Sequence, residues 1–191
     1  MEYCGLHIEE CDGVYPPSDD SFLLAENATC SGRSIEIGCG TGIVSICLLK
    51  RGCEIEAVDI SDLAVECARA NALRNGLHLN VHHSDLFSDV HGKFDTILFN
   101  APYLPVSGED ISWSGGEKLE VVSRFLHQAK LHLNPSGCVY LVLTDLTDNE
   151  AMFMDNGYEY TVVKKIVFDF EAIILYRLTL SNAGSPPHHQ S

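Results

Sequence analysis

The stretch Ser34-Ile35-Glu36-Ile37-Gly38-Cys39-Gly40-Thr41-Gly42-Ile43 runs from a short apolar strand pattern through three alternating glycines into a helix-compatible segment, Gly42 to Arg51. That is a βα unit. Glycines at such a junction permit positive φ and let a ligand approach the backbone closely. A dinucleotide site wants G-x-G-x-x-G/A and a pyrophosphate on the helix N-terminus, and this chain has Ile43 where the last small residue belongs. NAD is therefore the poorer fit, and a tight structural turn would also account for the glycines taken alone.

Reading outward, Glu54 to Asp59 is a second strand and Asp62 to Asn75 a second helix. Asp62 suits the N-cap, and Leu63, Cys67, Ala70 and Leu73 fall on one face. Leu79 to His83 and Phe94 to Phe99 read as strands. A helix from about Lys118 to Leu133 is expected to stop at Asn134-Pro135, before a strand from Val139 to Leu143. Such alternation predicts an α/β fold with a mostly parallel sheet covered on both faces. Tyr158 to Phe168 and Glu171 to Leu180 are separated only by Asp169 and Phe170 and should close the sheet as an antiparallel hairpin, making seven strands. Residues 1–30 form an arm with a helix from Ser18 to Ala28 after Pro16-Pro17, residues 31–180 the domain, and 181–191 a disordered tail. His188 and His189 in that tail are read as solvated.

The 191 residues, 46% hydrophobic and 20% charged, are enough for one globular domain. Twelve Lys and Arg against 27 Asp and Glu leave a net charge of −15, the opposite of what a protein gripping many phosphates shows. The first 32 residues carry seven carboxylates and no Lys or Arg. Eight cysteines, with no C-x-x-C pair and no signal-peptide pattern, read as reduced, mostly buried side chains of a cytoplasmic protein. Cys4, His7 and Cys11 match no standard metal spacing. No apolar run is long enough to cross a bilayer.

Two acids follow the glycine loop at strand ends. Asp59 comes 23 residues after Glu36, and Asp85 follows the third strand. In an open α/β sheet these carboxyl ends converge on one crevice, where Asp59 can accept from ribose hydroxyls and Asp85 from an exocyclic amine. Either acid alone is equally an N-cap for the next helix. Together after this loop they favour binding.

Phe99-Asn100-Ala101-Pro102-Tyr103-Leu104-Pro105 follows the fourth strand at the same edge. A planar amine, such as a side-chain amide or adenine N6, is a poor nucleophile because its lone pair is delocalised. The Asn100 side-chain oxygen and the Ala101 carbonyl can each accept an N–H, favouring pyramidalisation as the nitrogen attacks a methyl sulfonium. Pro102 biases Ala101 towards an extended backbone, and Tyr103 offers a face to a planar group. An ordinary turn is the competing reading.

With these motifs in view the chain resembles the class I methyltransferases that use S-adenosylmethionine, with their Glu-x-Gly-x-Gly-x-Gly loop and Asn-Pro-Pro-Tyr motif, over residues 14–180. Val14-Tyr15-Pro16-Pro17-Ser18-Asp19-Asp20-Ser21-Phe22-Leu23-Leu24 is similar to the N-terminal signature of the short HemK-related proteins of archaea and eukaryotes, which methylate the glutamine of the Gly-Gly-Gln loop in class I translation release factors. The resemblance implies a Rossmann-like methyltransferase fold with an arm over the cofactor. It implies cofactor contacts from Ser21, Glu36, Gly38, Gly40, Gly42, Asp59, Asp85, Leu86 and Asn100, an amide held by Asn100, Ala101, Pro102 and Tyr103, and no catalytic metal. It also implies a small zinc-binding activator subunit.

Ala101 departs from the usual proline but keeps the carbonyl acceptor. Trp113-Ser114-Gly115-Gly116 resembles the family's glycine-rich loop before the fourth helix, and the following Glu117-Lys118-Leu119-Glu120 diverges. N6-adenine methyltransferases of DNA or RNA use the same tetrapeptide, but they need a basic groove or recognition domain that this chain does not show. A non-catalytic methyltransferase-fold subunit is the remaining alternative, and the intact motif positions count against it. In the usual strand order Leu79 to His83 would be an exposed edge open to strand addition by the activator. His82 and His83 point to opposite faces of such a strand, which makes a shared ion improbable.

Overall fold

A computed structural model describes residues 1–101, 111–145 and 148–181, with the backbone alone for 111–119. The chain opens with β1 (Glu2–Tyr3) and β2 (Leu6–His7), a small antiparallel pair, and α1 (Asp19–Asn27). There follow β3 (Arg33–Ile37), α2 (Ile43–Lys50), β4 (Glu54–Asp59), α3 (Asp62–Arg74), β5 (Asn80–His83) and β6 (Phe94–Asn100). The remainder is α4 (Ile111–His132), β7 (Leu133–Thr144), α5 (Asn149–Asp155), β8 (Tyr158–Val167) and β9 (Ala172–Leu180).

Seven strands form one sheet in the order β5-β4-β3-β6-β7-β9-β8, parallel from β5 to β7, with β9 antiparallel to β7 and β8 antiparallel to β9. This is the Rossmann-like architecture expected, with its C-terminal hairpin. Period-two alternation splits the central strands between two cores. Cys138, Tyr140 and Val142 of β7 join Leu98, Leu24, Ile46 and Ala68 on the side of α1, α2 and α3. Val139, Leu141 and Leu143 join Ile97, Phe99, Phe125 and Phe153 on the side of α4 and α5. β5 is one edge of the sheet, as the usual strand order of the resembled fold implied.

Several boundaries differ from expectation. Ser61, not Asp62, caps α3, its hydroxyl accepting from the Ala64 N–H at 3.4 Å. The buried residues of α3 are Ala64, Val65, Cys67, Ala68, Asn71 and Ala72, whereas Leu63 and Leu73 are both 55% exposed. Small residues face inward because the helix lies against the glycine loop. α4 begins at Ile111 rather than near Lys118, so Trp113 to Gly116 belong to the helix and not to a loop before it. The helix also ends before Asn134-Pro135, because Leu133 already pairs with Phe94 and the dipeptide falls in β7 at a register shift, where a proline removes no ladder hydrogen bond. The short α5, β1 and β2 carry too few residues to show a period.

The cysteines need a larger correction. Cys11 is paired with Cys67 and Cys30 with Cys53 in disulfides, leaving Cys4, Cys39, Cys47 and Cys138 free. Each bond joins the arm to the domain across 56 and 23 residues, a proximity created by tertiary packing that spacing along the chain does not reveal. The expected tail from 182 onward lies outside the described residues. No helix among those described is long and apolar enough to cross a membrane.

Candidate active site

Strand register assembles the site. Ile37 lies level with Val58 on one side and Phe99 on the other, so the chain leaves β3, β4 and β6 at one height. A cavity of about 520 Å³ opens there, a size suited to a small molecule. Glu36, Gly38 and Gly40 line it from β3 and its loop, Asp59 from β4, Asp85 and Leu86 from beyond β5, Asn100 and Ala101 from β6, and Ser21 from α1. Gly42 is not among the lining residues. It starts α2 at φ +81°, and a Cβ there would stand 2.8 Å from that of Ala68, so its role is the close approach of α2 to α3. Pro102 and Tyr103 lie outside the described residues.

The loop is held by its own acids. The Gly40 N–H donates to Asp59 Oδ2 at 2.9 Å, and the Ser61 N–H donates to Asp59 Oδ1 at 2.9 Å. Each carboxylate oxygen keeps a further lone pair for a hydroxyl. Glu36 is buried under the loop and accepts from the Ser45 N–H at 2.9 Å and from the Ser45 hydroxyl. Burial pushes its carboxyl up to about 8, against the opposing pull of the Ser45 hydrogen bonds and with help from the nearby charge of Asp59. Leu86 sits at φ +52°, a left-handed conformation uncommon for a leucine and typical of constrained sites.

Asn100 differs from all of these. Its Oδ1 is buried and has no hydrogen-bond partner among the described residues. Such an acceptor is costly unless something donates to it.

A model of the methyltransferase small domain matches residues 19–167. The chain is also 32% identical over 189 residues to a Methanocaldococcus jannaschii protein named "Putative protein N5-glutamine methyltransferase", covering 92% of this chain and 96% of that one. It is 31% identical over 165 residues to ribosomal RNA small subunit methyltransferase C of Haemophilus influenzae, covering 83% of this chain and 48% of that longer protein. The chain belongs to the methyltransferase small domain family.

Two solved structures share the methyltransferase fold. The E. cuniculi Mtq2–Trm112 complex, responsible for methylation of the eRF1 translation termination factor, matches with a TM-score of 0.68 at 22% identity, over 88% of this chain and 99% of that one. The T. thermophilus 16S rRNA N2 G1207 methyltransferase RsmC, in complex with AdoMet and guanosine, matches with a TM-score of 0.73 at 21% identity, over 95% of this chain and 49% of that one. This methyltransferase is of class I and uses S-adenosylmethionine. The cavity fits that cofactor: Gly38 and Gly40, at φ +67° and +53°, put no side chain between their backbone and a ligand, and two acids stand at successive strand ends.

Several parts of the wall were not assigned from sequence, and three of them bear on the chemistry. Tyr15 and Val14 line the cavity from the arm, and Arg124 lines it from α4. Tyr15 carried a signal, since it stands within the N-terminal signature. Arg124 carried none, because it sits in an ordinary amphipathic stretch and reaches the cavity only through the packing of α4 on the sheet.

Proposed function

We propose that the protein transfers a methyl group to a planar amide nitrogen, the glutamine of the Gly-Gly-Gln loop of a class I release factor, forming N5-methylglutamine. The observation that carries this reading is the buried Oδ1 of Asn100 at the carboxyl end of β6, which no described residue donates to. It accepts one N–H of the incoming amide, and the Ala101 carbonyl beside it accepts the other. Two acceptors draw the nitrogen out of conjugation without a strong base. Bound S-adenosylmethionine would supply the methyl from its sulfonium and leave as the neutral thioether, and the proton displaced from the amide nitrogen passes to water.

In this reading Asp59 holds the ribose, Asp85 and Leu86 meet the base, and Ser21, Glu36, Gly38 and Gly40 shape the remainder of the cofactor site. Residues 1–30 serve as the arm that covers it, since Val14, Tyr15 and Ser21 line the cavity. The net charge of −15 supports a protein acceptor over a nucleic acid. The edge strand β5 is open to a small partner by strand addition, and the Mtq2–Trm112 complex is a two-chain methyltransferase of the same fold.

A radiolabelled methyl-transfer assay tests this with a release factor and its loop Gln→Ala variant, run with and without the small partner. Label that depends on the glutamine is expected. Label on ribosomal RNA or adenine with the release factor untouched would overturn the reading, and no transfer despite bound cofactor would favour a non-catalytic subunit.

A further inference from the structure

Four carboxylates line the cavity, Asp20, Glu36, Asp59 and Asp85, and among the described lining residues Arg124 is the single basic side chain. Its Nη2 donates to Asp85 Oδ2 at 2.8 Å. The two side chains are 43% and 45% exposed, and an ion pair that open contributes little to folding stability. Its consequence is geometric.

The backbone around Asp85 is already held. The Ser84 N–H donates to the Asp59 carbonyl at 2.9 Å, and the Ser84 hydroxyl donates to the Leu86 carbonyl at 2.8 Å. The Asp85 N–H donates to Ser88 Oγ at 3.1 Å. Leu86 is constrained at φ +52°. What these contacts leave free is the rotation of the Asp85 carboxylate about its own side-chain bonds. Arg124 removes that freedom by taking one oxygen.

We propose that Arg124 is a positioning residue for the purine end of the cofactor: it holds Asp85 by Oδ2 and leaves Oδ1 as an oriented acceptor, so that the site takes a 6-aminopurine and rejects a 6-ketopurine. The inference rests on the placement of Asp85 at the base in the proposed function. An exocyclic amine donates to Oδ1. A keto oxygen in the same place turns lone pairs towards the fixed carboxylate oxygen, and the N1–H that comes with it lies away from the position of the amine, so the pairing is lost as in other sites built to bond one polar group. The planar guanidinium suits the task better than a flexible ammonium.

Titration calorimetry with S-adenosylhomocysteine and its deaminated analogue S-inosylhomocysteine tests this on the full chain, together with its partner if one is needed for solubility. The wild type is expected to prefer the adenosyl ligand by at least about tenfold, the value of one hydrogen bond to a charged group. Arg124→Ala should lose most of that preference by weakening the adenosyl ligand alone, with melting temperature unchanged. Arg124→Lys should fall between the two. Wild-type affinity and preference in Arg124→Ala, with both lost in Asp85→Asn, would overturn the role of Arg124 while sparing that of Asp85. No effect in Asp85→Asn would overturn the placement of Asp85 itself. Tighter adenosyl binding in Arg124→Ala would show the arginine competing with the base, and would equally overturn the proposal.

Discussion

The two halves of the carboxyl edge are built to different degrees. On the β3–β4 side the chain closes its own polar groups: Glu36 is bonded by Ser45, and Asp59 by the N–H groups of Gly40 and Ser61. On the β6 side Asn100 Oδ1 is buried and has no donor among the described residues. The acids of the first half are already held by the chain's own donors before any ligand arrives, which is what a site needs if it is to hold a cofactor in one pose through repeated cycles. The second is completed by whatever brings an N–H to it.

Breaking the open half should have the largest effect. Asn100→Ala removes the acceptor and leaves the glycine loop and its acids in place. Methyl transfer measured in single turnover should fall by about 10²–10³-fold, the usual loss for one preorganised polar group at a reacting centre. Cofactor affinity should change little. An equal loss in both would mean that Asn100 belongs to the first half, and the contrast between the halves would be gone.

Next in size is a steric break in the closed half. Gly42→Ala places a Cβ 2.8 Å from that of Ala68 at φ +81°. Left-handed strain of about 1–2 kcal/mol and overpacking of about 1–3 kcal/mol should together lower the melting temperature by several degrees. Gly52→Ala is the control, because at φ +91° its Cβ meets nothing within 4 Å and only the strain remains. Similar shifts in the two variants would remove the packing role assigned to Gly42.

The same contrast explains what the sequence could and could not tell. The closed half was legible, because an alternating-glycine loop and acids at successive strand ends are local patterns with a fixed meaning in a parallel sheet. The place of Asn100 at the same edge was legible from the strand that precedes it. Arg124, the disulfides and the buried face of α3 were not. Leu63 and Leu73 look like a core stripe by period, yet the helix turns Ala64, Ala68 and Ala72 inward, because close packing on a glycine loop selects small side chains over large apolar ones. Cys11 and Cys67 meet only after the arm has folded onto α3.

A smaller effect is expected at Asp59. Asp59→Asn keeps the size of the side chain but loses charge and one acceptor, so either the Gly40 or the Ser61 N–H is left facing an amide NH2. Cofactor affinity should weaken about tenfold, as for the loss of a charge-assisted hydrogen bond. The rate with cofactor saturating should be largely retained. A reduced rate at saturation instead would place Asp59 in the chemistry and blur the two halves.

The smallest effect is a change in pH dependence. Burial raises the Glu36 carboxyl from 4.5 to about 8, so the folded chain holds a proton that the unfolded chain releases between those values. Where the folded state binds more protons, stability falls as pH rises. The contribution of Glu36 is therefore fully present below about 4.5, declines through neutrality and is gone once the folded carboxyl ionises above about 8. Glu36→Gln keeps an oxygen for Ser45 and cannot titrate. Its melting temperature should fall less between pH 5 and 8 than that of the wild type, by a few degrees. Every other titrating group is shared by the two proteins, which makes the difference between their curves a measure of Glu36 alone. Parallel curves would mean that Glu36 is ionised at neutral pH in the folded chain, so that the closed half carries a buried charge which the Ser45 hydrogen bonds alone must hold.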